Sequence, residues 1–207
     1  MRILHVDKFL RRSGGAAGYM LDLAGRQRAD GHEVEFFAMA HPDNQPATYQ
    51  LRFPPFVSLE PPPDGLVDQA KAAGRMIHSV RSASGMAAVL DRFRPDVVHL
   101  HNIYHQLSPS ILRPMARRSI PVVMTVHDYK LVCPTYRMLD AQGALCDACV
   151  EGRPLEALKR RCQGGSLAGS AVLALESTLH RTFRAYGAVD RFIAPSAFLA
   201  DTLRRGG

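Results

Sequence analysis

The chain has 207 residues, enough for one domain carrying an insertion, and its 46% apolar content excludes a disordered chain. Twenty-six Lys and Arg against 19 Asp and Glu give a net charge of +7, a balance that suits an anionic partner without choosing among nucleotide phosphates, an acidic lipid surface and nucleic acid. No apolar run approaches the ~20 residues of a membrane span, and Met1 to Asp7 lack the long apolar stretch of a secretory signal, so the expected location is the cytoplasm, with reduced cysteines.

Residues 2–7 (RILHVD) form a short apolar run that reads as a first strand, followed by the turn chemistry of Ser13-Gly14-Gly15. From about Ala17, apolar residues recur at helical spacing through Met20, Leu21 and Ala24, and Asp30-Gly31 stops that helix. A second strand runs over 32–37. Strand, glycine-rich loop, helix and strand make a βαβ unit, which implies a right-handed crossover and a parallel sheet. Residues 41–64 are rich in Pro, Asn and Asp and read as an irregular loop. A helix is expected from Leu66 to Phe93, broken near Gly74 or Gly85, and Arg94-Pro95 ends it. Strands follow at 96–101 and 121–126, with a helix near 109–118 between them. Beyond a cysteine-bearing segment, 131–165, come a long helix near 167–186, a last strand at 190–194 and a final helix ending at Gly206-Gly207. Helices alternate with buried-type strands throughout, so the fold class is α/β, a doubly wound parallel sheet with a cysteine-bearing insertion.

In open parallel sheets, ligands bind beyond the carboxyl ends of the strands. Here those ends carry Gly14 and Gly15, then His101 and Asn102, then His127 and Asp128, and finally Pro195-Ser196. Paired glycines let a backbone approach an anion, and the helix N-terminus behind them offers free N–H groups. The spacing G-G-x-x-G is neither the dinucleotide fingerprint nor a P-loop, and a Gly-Gly turn by itself is often only a turn. His127 is suited to moving a proton or to hydrogen-bonding a sugar hydroxyl, with Asp128 beside it to orient the ring or cap the next segment. His99 and His101 lie two apart on one strand face; His99 reads as a core histidine, and His101 with Asn102 as nearer the crevice.

Taken in order, Gly14-Gly15, Leu23 through Gly31-His32-Glu33-Val34, Pro95 to Asn102, Pro121 to Asp128 and Ala194-Pro195-Ser196 resemble the N-terminal domain of family-4 retaining glycosyltransferases. The resemblance implies one Rossmann-like half of a GT-B fold, the half that mostly binds the acceptor, with a partner domain gripping the nucleotide sugar (a UDP- or GDP-sugar). It implies a hexosyltransferase-type activity on a glycan or lipid-linked acceptor, as in polysaccharide biosynthesis. It also implies that Gly14-Gly15 face the donor diphosphate, that His127 lies near the transferred sugar or the acceptor hydroxyl, and that catalysis needs no metal. The donor-binding C-terminal domain of that family is not in these 207 residues, so the chain alone is expected to be an incomplete enzyme.

The four cysteines, Cys133, Cys146, Cys149 and Cys162, follow C-x12-C-x2-C-x12-C. A C-x2-C pair supplies two thiolates from one turn and the outer two complete a tetrahedral set, which points to structural zinc. Two disulfides, an iron–sulfur cluster or unligated thiols remain as alternatives. Arg153, Lys159, Arg160, Arg161, Arg181 and Arg184 make this region basic, either as a solvated face or as a peripheral contact with an anionic lipid headgroup. The rival reading is a non-catalytic, zinc-stapled binding module for nucleic acid or protein. The interleaved aromatic and basic pattern of a base-stacking platform is lacking, so nucleic acid is not the expected partner.

Overall fold

The computed structural model describes residues 1–58 and 65–207, so the end of the expected 41–64 loop, residues 59–64, lies outside the described residues. Within them, the first compact unit is formed by residues 1–125 with 185–193, and the second by residues 126–184 with 194–207.

The first unit is built on five parallel strands: β1 (Arg2–Val6), β2 (Glu33–Phe37), β3 (Val97–Leu100), β4 (Val122–Thr125) and β5 (Arg191–Ile193). Their spatial order is β2-β1-β3-β4-β5, a Rossmann-like, doubly wound arrangement. Helices α1 (Gly15–Ala29), α2 (Leu66–Ile77), α3 (Val80–Phe93) and α4 (Leu112–Ala116) supply the crossovers. The strand order reverses direction after β2. Right-handed connections therefore put α1 on one face and α2, α3 and α4 on the other. Strands covered on both faces need continuous apolar runs, and Ile3, Leu4, Val6, Phe36, Phe37, Val98, Leu100, Val122 and Met124 are accordingly buried. Met20, Leu21 and Ala24 of α1 and Met86, Val89, Leu90 and Phe93 of α3 complete this core.

The expected break in the 66–93 helix is present but lies at neither glycine. It falls at His78-Ser79, where Ser79 caps α3 by accepting the N–H of Ser82. The Ser79 N–H in turn donates to Ser108 and Ser110 (3.1 and 3.2 Å), and Ser110 Oγ returns a bond to the Ser79 carbonyl (3.0 Å). All four serines are buried. A buried cap that satisfies its own backbone sets the boundary more firmly than a glycine's weak helix propensity. Gly74 stays inside α2. Gly85 stays inside α3, where a Cβ would stand 2.2 Å from the Arg52 carbonyl oxygen.

The second unit contains α5 (Glu156–Lys159), α6 (Leu167–Thr182) and α7 (Ala197–Gly206). Ser166 caps α6 by accepting from Gly169 N–H, and Ser196 caps α7 by accepting from Leu199 N–H. The end of α7 packs on the cysteine-bearing stretch. A Cβ at Gly206 would meet Val132 at 2.2 Å, Arg181 donates to the Gly206 carbonyl (2.8 Å), and Arg205 pairs with Asp147 (3.0 Å). Helix α6 stops at Thr182, four residues short of the expected 186, with Arg184 in the left-handed region (φ 47°). Among the described residues, no helix is long and apolar enough to cross a membrane.

Candidate functional site

With the order β2-β1-β3, the topological switch point lies between β1 and β3, the place where open α/β sheets bind ligands. Asp7 organises it. The residue follows β1 directly and is 1% exposed. One carboxylate oxygen accepts the Phe9 N–H (2.9 Å) and the other the Asn102 N–H (3.2 Å), while Lys8 N–H donates to the Asn102 carbonyl (2.9 Å). The ends of the two strands are thereby fixed to each other through Asn102. Lys8 Nζ stands 4.9 Å from the Tyr104 ring centroid, a cation–π contact at the same edge.

Gly14 and Gly15 open α1. Gly14 is extended (φ 169°), a conformation any residue adopts, and a Cβ at either glycine would meet nothing within 4 Å. Neither the backbone nor the packing of the chain requires glycine there. Beside this turn, Arg12 pairs closely with Asp22 of α1, and the hydrogen bond to Arg12 holds the Asp22 carboxyl below its ordinary range.

His101 joins a buried chain of side chains that was not apparent in the sequence. His5 Nε2 bonds Gln27 Oε1 (2.7 Å), His5 Nδ1 bonds His101 Nε2 (3.1 Å), and His99 Nε2 bonds Thr125 Oγ1 (2.8 Å). With Gln27 presenting its carbonyl oxygen, His5 carries its proton on Nε2 and accepts at Nδ1 from the Nε2–H of His101. Burial, outweighing the Gln27 bond, lowers the His5 pKa to about 4, so its imidazole is neutral at pH 7. Potential ligand atoms of His5, His99 and His101 all lie within 4.8 Å of one another. The His99 and His101 rings, however, are stacked at 4.5 Å with 23° between planes, and those of His5 and His101 at 5.4 Å with 24°. Lone pairs lie in the ring planes, and nearly parallel stacked planes do not meet at a common ion. The cluster therefore suits a hydrogen-bonded core better than a metal centre. His101 itself is fully buried, more so than His99.

The second unit carries His127, Asp128 and Ser196. His127 is half-buried, and that burial lowers its pKa below the ordinary value, leaving a neutral ring at pH 7. Asp128 Oδ1 accepts the Lys130 N–H (2.9 Å) in an Asx turn, the capping role the sequence suggested. Lys130 then reaches a buried carboxylate: its Nζ donates to Glu176 Oε2 of α6 (2.7 Å) and to the Pro134 carbonyl (3.0 Å). The two side chains are 4% and 0% exposed. Sequence reasoning missed this pair, whose members lie 46 positions apart. The available signal was Glu176 itself, which closes the apolar run Val172-Leu173-Ala174-Leu175.

The sequence profile of the glycosyl transferase 4-like domain matches residues 14–207. The chain belongs to that family. Membership agrees with the family resemblance carried by the strand-end motifs. Comparison with curated proteins gives no match. Among solved structures, the crystal structure of SsfS6, a Streptomyces sp. SF2575 glycosyltransferase, is similar at 19% identity and a TM-score of 0.36, over 62% of this chain and 40% of that one. The match thus covers less than half of that glycosyltransferase, and the family assignment rests on the profile.

Proposed function

We propose that this domain is the acceptor-side half of a retaining, GT-B-type glycosyltransferase that moves a hexosyl group from a UDP- or GDP-sugar to a glycan or lipid-linked acceptor, acting with a donor-binding C-terminal domain. The observation that carries this reading is the family match over 14–207 on a sheet whose β1/β3 switch point is polar and ordered.

In this reading the anomeric C–O bond to the diphosphate breaks, with its electron pair leaving on the phosphate oxygen. The acceptor hydroxyl oxygen bonds the same carbon from the face the diphosphate leaves, which keeps the anomeric configuration, and its proton is taken by His127, neutral and able to accept it. Gly14 and Gly15 receive the diphosphate against the α1 N-terminus, where amides and the helix dipole stabilise the leaving charge. A ligand approaching this backbone accounts for two glycines that the fold itself does not demand. Asn102 and Asp128 hold the strand-end backbone, His101 supports the β3 end from the core, and Ser196 presents the start of α7. In the second unit, Arg153, Lys159 and Arg181, with Glu156 paired to Lys159, line an open pocket of about 600 Å³ whose balance of charge is positive. It suits the anionic headgroup of a lipid-linked acceptor at a membrane surface.

The test is transfer by the chain joined to a donor-binding domain, offered UDP- and GDP-sugars with lipid-linked and glycan acceptors. Sugar transfer with retained anomeric configuration is expected. Gly15→Ala should leave the melting temperature unchanged or slightly raised, because alanine favours a helix, while abolishing transfer. No transfer with any donor, together with salt-dependent oligonucleotide binding, would instead establish the non-catalytic module. Full activity in Gly15→Ala would remove the diphosphate role of the turn.

A further inference from the structure

The cysteine-bearing stretch of the second unit is ordered with very little regular structure. Over residues 131–165 the only regular elements described are the four-residue α5 and one isolated antiparallel bridge, Leu139 to Leu145. Its own apolar cluster is small, Cys149, Ala157 and Cys162, with Val132 and Val150 also buried beside the end of α7. Ordering each residue costs roughly 1–2 kcal/mol of backbone entropy, and segments with so little core are commonly stapled by disulfides or a structural metal.

Four thiols stand ready to supply one. Cys133, Cys149 and Cys162 are buried, Cys146 is half-buried, and none is bridged to another. Each is delivered by its own turn. Cys133 N–H donates to the Tyr129 carbonyl (2.7 Å). Cys146 ends a hairpin closed by its N–H on the Met138 carbonyl (2.9 Å), with Asp140 accepting from Gln142 and Ala144 N–H at the tip. After Cys149 the chain turns back through Gly152 (φ 78°), whose N–H donates to the Cys149 carbonyl (3.1 Å). Cys162 N–H returns to the Ala157 carbonyl (3.1 Å) just past α5. The turns lie close together: Cys149 and Cys162 share one apolar cluster, and Val132 and the Val150 carbonyl, each next to a cysteine in the chain, both border Gly206 at the end of α7. As protonated thiols the cysteines pack only as small apolar side chains. A divalent cation turns the same arrangement into a cross-link.

We infer that Cys133, Cys146, Cys149 and Cys162 bind one Zn²⁺ as four thiolates, a closed structural site that cross-links the second unit. Four S–H protons leave to solvent as four Zn–S bonds form, and the site keeps a charge of −2. All four positions are filled by protein, so no place remains for a reactive water. Zinc–sulfur bonds of about 2.3 Å put tetrahedral sulfurs about 3.8 Å apart.

The experiment is metal analysis of the 207-residue chain, purified under reducing conditions without chelator, with thiol titration before and after chelation. One zinc per chain is expected, with thiols that react only once the metal is removed and a melting temperature that falls on its removal. Cys146→Ser should lose the zinc, and His5→Gln should keep it. Because a serine variant can fail to fold, the wild-type chain is also reconstituted with Co²⁺. Thiolate-to-cobalt charge-transfer bands with intense tetrahedral d–d absorption are expected. Metal-free protein with four reactive thiols and no thermal response to zinc would overturn the site. So would two disulfides, or zinc that survives Cys146→Ser and is lost in His5→Gln.

Discussion

The buried Lys130–Glu176 pair is the point where the second unit is most sensitive to a single change. Lys130→Met keeps the length of the side chain and removes its charge, leaving the fully buried Glu176 carboxylate without its ammonium partner. Breaking such a pair from one side costs about 3–5 kcal/mol. For a chain of this size each kcal/mol shifts the melting temperature by about 2–4 °C, so a fall of roughly 6–20 °C is expected. The double variant Lys130→Met with Glu176→Leu removes both charges together. An apolar replacement of a whole buried pair is commonly neutral to stabilising by about 1–4 kcal/mol. Loss of the Lys130 donor to the Pro134 carbonyl takes back about 1 kcal/mol. The double variant should therefore melt above the single one. Thermal melts and urea titrations followed by circular dichroism measure both, and hydrogen exchange over 126–184 and 194–207 tests whether the loss is local to that unit. A single variant within about 1 kcal/mol of wild type, or a double variant no better than the single one, would refute the reasoning.

His5 makes stability depend on pH. Its folded pKa of about 4 lies below the ordinary 6.5, so between those values the unfolded chain binds a proton that the folded chain does not. Its contribution is whole above pH 6.5 and is lost as pH falls to 4, a loss of about 3 kcal/mol. Melts across that window should show the slope in wild type and a flatter one in His5→Gln; equal slopes would exclude His5 as the cause. Two glycines should behave oppositely. Gly85→Ala drives a Cβ into the Arg52 carbonyl and should cost about 1–3 kcal/mol in chemical denaturation. Gly74→Ala meets nothing and should gain up to about 1 kcal/mol. In the chain joined to a donor-binding domain, His127→Ala should lower kcat about 10²–10⁴-fold with an unchanged melting temperature, read by initial rates and calorimetry.

What was legible in the sequence and what was not divides along a physical line. Strands β1, β3 and β4 are read from apolar runs such as Val97-Val98-His99-Leu100, and the stop of α1 from Asp30-Gly31, because these signals are local. Local signals place the break between α2 and α3 near Gly74 or Gly85, whereas it is set by Ser79 acting with Ser108 and Ser110, about 30 positions away. No local rule contains such a partner. The same holds for Asp7 with Asn102, Lys130 with Glu176, and His5 with Gln27 and His101. Each is a polar group whose burial is possible only because a distant segment satisfies it. Positions of strand ends follow from chain order and period, and those signals place Asn102 just after β3 and Ser196 at the start of α7. The groups that hold those ends rigid belong to tertiary structure. A sequence betrays them only where a charge interrupts an apolar run, as Asp7 does after Val6 and Glu176 after Leu175. Charged residues at such interruptions are therefore the ones to test first for positioning roles around His127 and Asn102, ahead of the exposed arginines that set the net charge.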